Sequence, residues 1–147
     1  MKNGWVWGVL LSLLLIFGTI LTGGCAGTDT ITSEVPTLQV ENVSTQEAYS
    51  LIQNNRNNPD FIILDVRTPE EFSVGHIDGA VNTDFYEDTF REELDALDRN
   101  TTYLVHCRSE SRSQSTVDTL EALGFTKIYH MTGGYIEWEA EGLPTVK

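Results

Sequence analysis

Phe61-Ile62-Ile63-Leu64 is an unbroken apolar run that follows the turn-forming stretch Asn57-Asn58-Pro59-Asp60. A strand with one wet face alternates apolar and polar residues. A continuous run of this length fits a strand covered on both faces, as in a parallel sheet with helices above and below. Parallel strands need crossover helices, and the rest of the chain alternates accordingly. Thr37-Leu38-Gln39-Val40 reads as a short edge strand. Ser44 stands three residues before Glu47, a capping-box signal, and Ala48, Leu51 and Ile52 follow at helical spacing. Ala80-Val81-Asn82 reads as a brief strand, Phe90, Leu94 and Leu97 as a helix face, and Tyr103-Leu104-Val105 as another strand. Val117, Leu120 and Leu123 line a helix that Gly124 should end, Lys127-Ile128-Tyr129 makes a last strand, and residues 135–141 a last helical turn or two. The pattern predicts an α/β domain with a central, mostly parallel sheet flanked by helices on both faces. In such sheets sites form beyond the carboxyl ends of the strands.

That domain does not fill the 147-residue chain. Residues 5–24 carry no charge, follow Lys2, and lead through Gly23-Gly24 into Cys25. A basic start, an apolar stretch and small residues before a cut site describe an export signal, and the small-small-Cys ending resembles the lipobox of lipoproteins, which implies a lipidated Cys25; about 20 apolar residues can equally span a bilayer as an uncleaved anchor. Either reading of residues 1–25, signal peptide or membrane anchor, tethers the protein to a membrane outside the cytoplasm. Residues 26–36 are small and polar and read as a flexible linker, leaving residues 37–147 as the globular domain.

The formal net charge is −13, and residues 1–25 contribute only Lys2, so the exported part is more acidic still. Such a surface argues against nucleic acid as a partner. Arg108 and Arg112 nevertheless lie close together, a basic spot that suggests a local anion site; the plain alternative is a pair of solvated arginines.

Both belong to the run Cys107-Arg108-Ser109-Glu110-Ser111-Arg112-Ser113, directly after a strand and before a helix. A thiol at such a junction faces free backbone N–H groups, and these, with the two arginines, favour the thiolate. With Cys25 lipidated or in the membrane segment, Cys107 has no partner for an internal disulfide. The polar residues after it point to an exposed, used thiol over a buried inert one.

Three segments together resemble a single-domain rhodanese, a sulfurtransferase. Asp65-Val66-Arg67-Thr68-Pro69-Glu70-Glu71-Phe72 with Gly75-His76-Ile77-Asp78-Gly79-Ala80-Val81-Asn82 matches the family's N-terminal signature. Residues 107–113 match its active-site loop, and Gly124-Phe125 through Gly133-Gly134-Tyr135-Ile136-Glu137-Trp138 to Gly142-Leu143-Pro144 match its C-terminal signature. The resemblance implies a rhodanese-like fold and a persulfide mechanism. Catalytic Cys107 takes sulfane sulfur from a donor such as thiosulfate or a persulfide and passes it to a thiol or cyanide, with a thiol protein as a further candidate partner. Arg108, Ser109, Glu110, Ser111, Arg112 and Ser113 would bind the substrate. The resemblance calls for no cofactor and no metal.

Spacing separates this reading from its main enzymatic rival. Thiol-dependent phosphatases use Cys-x5-Arg, whereas Arg112 gives Cys-x4-Arg, a ring better sized to one sulfur than to a phosphate. Many rhodaneses carry Gly where this chain has Glu110, which adds a side chain where glycine's backbone freedom is used and a negative charge beside an anion site. A binding or sulfur-carrier module without turnover is therefore the alternative from another class. Asp65 and Arg67 read as a pair that braces the loop, and His76 as a residue that fixes a turn. His106 and His130 form no metal-ligand spacing. Tyr135 and Trp138 read as core, and Gly133-Gly134 as a tight turn.

Overall fold

The computed structural model describes residues 38–147; residues 1–25 with Cys25, and the linker 26–36, lie outside the described residues. Five strands form one sheet in the order β1-β5-β4-β2-β3, and every pairing is parallel. The strands are β1 (Gln39–Val43), β2 (Phe61–Asp65), β3 (Val81–Asn82), β4 (Thr102–His106) and β5 (Lys127–Met131); the helices are α1 (Thr45–Asn54), α2 (Pro69–Val74), α3 (Phe90–Asp95), α4 (Ser111–Ala122) and α5 (Gly134–Ala140).

Neighbouring residues of one strand feed opposite cores, which is why the central strands are apolar throughout. Leu64 and Val105 pack on one face with Leu94 of α3 and Val117 and Leu120 of α4. Ile63 and Leu104 pack on the other with Ala48 and Ile52 of α1 and Trp138 of α5. Leu64, Leu104 and Leu120 are fully buried; each burial stabilises the fold by about 1.5–3 kcal/mol.

The capping box at Ser44 forms, with the Ser44 side chain accepting from Glu47 N–H and Glu47 returning to the Ser44 N–H. Gly124 ends α4 with φ +86. The edge strand extends past its sequence-predicted end, because Gln39 to Val43 pair in register with Lys127 to Met131 of β5; Glu41 and Asn42 hide that continuation. Helix α2 had no reading at the sequence level. Its six residues are too few for a periodic signal, yet Pro69 opens it and Thr68 and Glu71 form a second capping box. Among the described residues no helix is long and apolar enough to cross a membrane.

The register sets Asp65 beside His106, and Val105 beside His130. These residues mark the carboxyl edge of the sheet, where β4 hands the chain to Cys107.

Candidate active site

Cys107 lies between His106, the last residue of β4, and Ser111, the first of α4. The thiol is not exposed as the sequence suggested: the residue is 1 % accessible. Polar residues follow it, but they curl around the sulfur and present backbone to it. Glu110 N–H donates to Sγ at 3.2 Å and the Ser113 hydroxyl lies 3.5 Å away. Burial pushes the thiol pKa up, but the Ser113 hydroxyl and the N–H groups of Ser113, Ser109 and Glu110 outweigh it, and the thiol ends below its ordinary value.

Helix α5 orients the first of these peptide planes, the one that carries the Ser109 N–H. Tyr135 N–H donates to Cys107 O at 2.8 Å and Ile136 N–H to Arg108 O at 3.0 Å. In a trans peptide the carbonyl and the following N–H point in opposite directions. Holding the carbonyls of Cys107 and Arg108 toward α5 therefore turns the next N–H groups away from it. Gly134 makes the approach feasible, since a Cβ there would meet Arg108 O at 2.6 Å and Cys107 O at 2.8 Å. The turn closes at Glu110, whose φ of +96 is the one positive value at a non-glycine among the described residues. Its carbonyl accepts from Gln114 N–H at 2.9 Å and lies 2.8 Å from the Ser113 hydroxyl, which has one proton to give among Glu110 O, Cys107 Sγ and His130 Nε2.

The two arginines differ. Arg112 turns to Glu71 of α2 and donates through Nη1 and Nη2 at 2.7 and 3.0 Å. Its guanidinium holds the Glu71 carboxyl below the usual carboxylate range, and it lies 5.5 Å from the Tyr86 ring. Arg108 is exposed and only brushes the same carboxylate at 3.8 Å. Ser109 and Ser111 lie at the surface, while Ser113 is fully buried beneath the sulfur.

Asp65 and Arg67 form a buried ion pair of 2.6 Å, and the Arg67 guanidinium also donates to Glu71 O and Gly75 O. It stacks 3.8 Å from the centre of the Tyr135 ring. The pair thus ties the end of β2 to α2, its following turn, and α5. His76 sits in that turn, with Nδ1 bonded to Phe72 O at 3.1 Å and its backbone paired with Val146. His106 is buried, with Nε2 3.6 Å from Asp65 Oδ2; burial holds its pKa down.

Two side chains at the site escaped the sequence reading, Glu71 and Asn42. The Thr68-x-x-Glu71 capping box was the available signal for the first. Asn42 had none, because its contact with His130 spans 88 positions of sequence. Among the described residues no group of three or more His, Cys, Asp and Glu is placed to hold a metal ion.

The rhodanese-like domain family model matches residues 44–141. A thiosulfate sulfurtransferase of Arabidopsis thaliana chloroplasts is 40 % identical over 93 residues, covering 56 % of this chain and 77 % of that protein. A tRNA uridine(34) hydroxylase of Pectobacterium atrosepticum is 31 % identical over 119 residues, covering 74 % of this chain but only 33 % of that protein. The crystal structure of a rhodanese-related protein from Thermoplasma volcanium superposes with a TM-score of 0.62 at 30 % identity, covering 72 % of this chain and 97 % of that one.

Proposed function

This chain belongs to the rhodanese-like domain family, and on that premise we propose that it is a sulfurtransferase carrying sulfane sulfur on Cys107. One observation carries the reading: a nearly inaccessible thiol whose pKa nonetheless lies below its ordinary value, because a hydroxyl and backbone N–H groups converge on it. Those donors do not titrate, so they serve a thiolate and a persulfide anion alike.

The Cys107 thiolate attacks the outer sulfur of thiosulfate. A new S–S bond forms, the donor's S–S bond breaks, and its electron pair leaves on sulfite. The terminal sulfur of the Cys107 persulfide, held by the N–H groups of the loop, then passes to cyanide or a thiol, and the cysteine thiolate returns. Arg108 is the cation free to meet the sulfonate end of the donor, since Arg112 is engaged by Glu71. Ser109, Ser111 and Ser113 frame the ring, and Asp65, Arg67 and His76 brace the elements around it.

A sulfur-carrier module that works with a protein thiol is the second reading. It is favoured by Glu110 at the rim and by Arg112 already neutralised, both of which weaken the site for a small dianion. We also hold to the membrane tether through residues 1–25, with Cys25 as the lipidated residue. Removing those residues should abolish membrane association, and Cys25→Ser should block processing of a lipoprotein while leaving a spanning anchor unaffected. The deciding experiment for the chemistry is mass spectrometry after incubation with thiosulfate. The expected result is a gain of one sulfur on Cys107, absent in Cys107→Ser; an unmodified Cys107 overturns the sulfurtransferase reading.

A further inference from the structure

Behind the sulfur, Ser113 Oγ lies 3.5 Å from Cys107 Sγ and 2.9 Å from His130 Nε2, and His130 Nδ1 lies 3.1 Å from Asn42 Oδ1. Cys107, Ser113 and His130 are all essentially inaccessible to water. A proton leaving the thiol therefore needs a carrier inside the protein. Cys107 follows β4, Ser113 is on α4, His130 on β5 and Asn42 on β1, so four elements meet to build one line of polar atoms on the sheet face that is otherwise apolar.

The orientation of the Asn42 amide sets the direction of the line. With Oδ1 toward the ring, Asn42 can only accept, so the proton of the neutral imidazole sits on Nδ1 and Nε2 is an acceptor. The Ser113 hydroxyl has one proton to give. Glu110 O, its other acceptor, is already served by Gln114 N–H. The hydroxyl can thus donate to His130 Nε2 and offer a lone pair to the S–H of Cys107.

We propose that Asn42, His130 and Ser113 form a proton relay that takes up the Cys107 proton when the thiolate forms and returns it when the thiol is restored. The S–H bond breaks and its electron pair stays on sulfur. That proton joins Ser113 Oγ while the hydroxyl's own proton passes to His130 Nε2, and the resulting imidazolium is held by Asn42 through Nδ1–H. The Ser113 hydroxyl then points back at the thiolate. No oxidant, metal or further reactant enters. His130 acts through Ser113 and is a positioning residue, and the proposal rests on Cys107 being the reacting nucleophile.

The surroundings suit the task. Burial holds the His130 pKa below its ordinary value, so the resting ring is neutral and able to accept, while Glu110 of the loop and Asp118 of α4 draw it upward. From β1 the ring meets the neutral amide of Asn42, and on β4 its register partner is Val105. Within the line of polar atoms, Cys107 is the group whose charge changes, and it reaches the ring through Ser113.

Nitrogen-15 NMR of the His130 ring in the full-length protein tests the relay without requiring sulfur transfer. The expected resting ring at pH 7 is the Nδ1–H tautomer. Its pKa should lie about one unit higher in the wild type, where Cys107 ionises, than in Cys107→Ser. Ser113→Ala should remove that dependence on Cys107. His130→Gln should slow iodoacetamide alkylation of Cys107 at pH 6 by about tenfold, one unit of thiol pKa. An Nε2–H tautomer at rest, or a His130 titration indifferent to Cys107, overturns the relay whether or not the persulfide forms. If His130 follows Cys107 but thiosulfate leaves Cys107 unmodified, the relay stands and the sulfurtransferase reading falls.

Discussion

Glu71 and Arg112 lie 41 positions apart in sequence, yet their side chains meet through two charge-assisted hydrogen bonds that pin α4 to α2 beside the thiol loop. The arginine most expected to bind a donor anion is thereby held by the protein's own carboxylate. Glu71→Gln should release it. The amide keeps the capping contact with Thr68 but not the charge, so the KM for thiosulfate should fall several-fold at low salt, where one fewer negative charge near the anion counts for about 1 kcal/mol. The variant should also lose about 1 kcal/mol of stability at pH 7. The folded pKa of Glu71 is depressed, so its contribution is full above the ordinary carboxylate pKa and fades as pH falls through the lowered folded value. Urea unfolding of the two proteins should differ at pH 7 and converge in acid. A gap that persists at low pH would show that the pair contributes through packing instead of charge.

Glu110 combines a backbone value suited to glycine, φ +96, with a charge at the rim. Glu110→Gly relieves a strain of about 1 kcal/mol while adding freedom to the unfolded chain, so the melting temperature should hold or rise slightly. The KM for thiosulfate should drop, more at low salt than at high. An unchanged KM with raised stability would assign Glu110 to the surface alone and remove its support from the carrier reading.

Much of this was legible in the sequence because it is written locally. Phe61 to Leu64 announced a doubly covered strand, Ser44 and Glu47 a helix start, Gly124 a helix end, and the apolar run before Cys107 its place at the sheet's carboxyl edge. What escaped depends on residues distant in the chain. Nothing in the neighbourhood of Glu71 says that it will capture Arg112, nor does the sequence around Asn42 say that it will face His130. The burial of Cys107 was misread for a related reason: a polar stretch following the thiol suggested water, but the loop turns its backbone, not its side chains, toward the sulfur.

The buried pair of Asp65 and Arg67 should behave as an indivisible unit. Arg67→Met strands a fully buried carboxylate and should cost about 3–5 kcal/mol. Replacing both, with Asp65→Leu and Arg67→Met, should cost less than the single change, since no unpaired charge remains. Denaturant unfolding of the two singles and the double closes the cycle. Additive losses would mean that the contacts of Arg67 with Glu71 O, Gly75 O and the Tyr135 ring outweigh its pairing with Asp65.

The last prediction concerns the clamp that shapes the loop. Gly134 and Gly142 both adopt positive φ, +62 and +69. An alanine at either position costs about 1 kcal/mol for that conformation. They differ in what a Cβ would meet. At Gly142 nothing lies within 4 Å; at Gly134 the carbonyls of Arg108 and Cys107 stand at 2.6 and 2.8 Å, and they are backbone atoms that cannot swing aside. Gly134→Ala should therefore push the loop off α5, loosen the bonds from Tyr135 and Ile136 N–H, and let the peptide planes of residues 107–109 rotate. The Ser109 N–H would lose its aim, and the loop that carries the Glu110 N–H would shift with it. The alkylation pKa of Cys107 should climb back toward the free-thiol value of about 8.5, and the yield of persulfide from thiosulfate should fall with it. Gly142→Ala should show the stability loss alone, with the thiol titrating as in the wild type. Should the two variants titrate alike, something other than the docking of α5 on the loop sets the reactivity of Cys107.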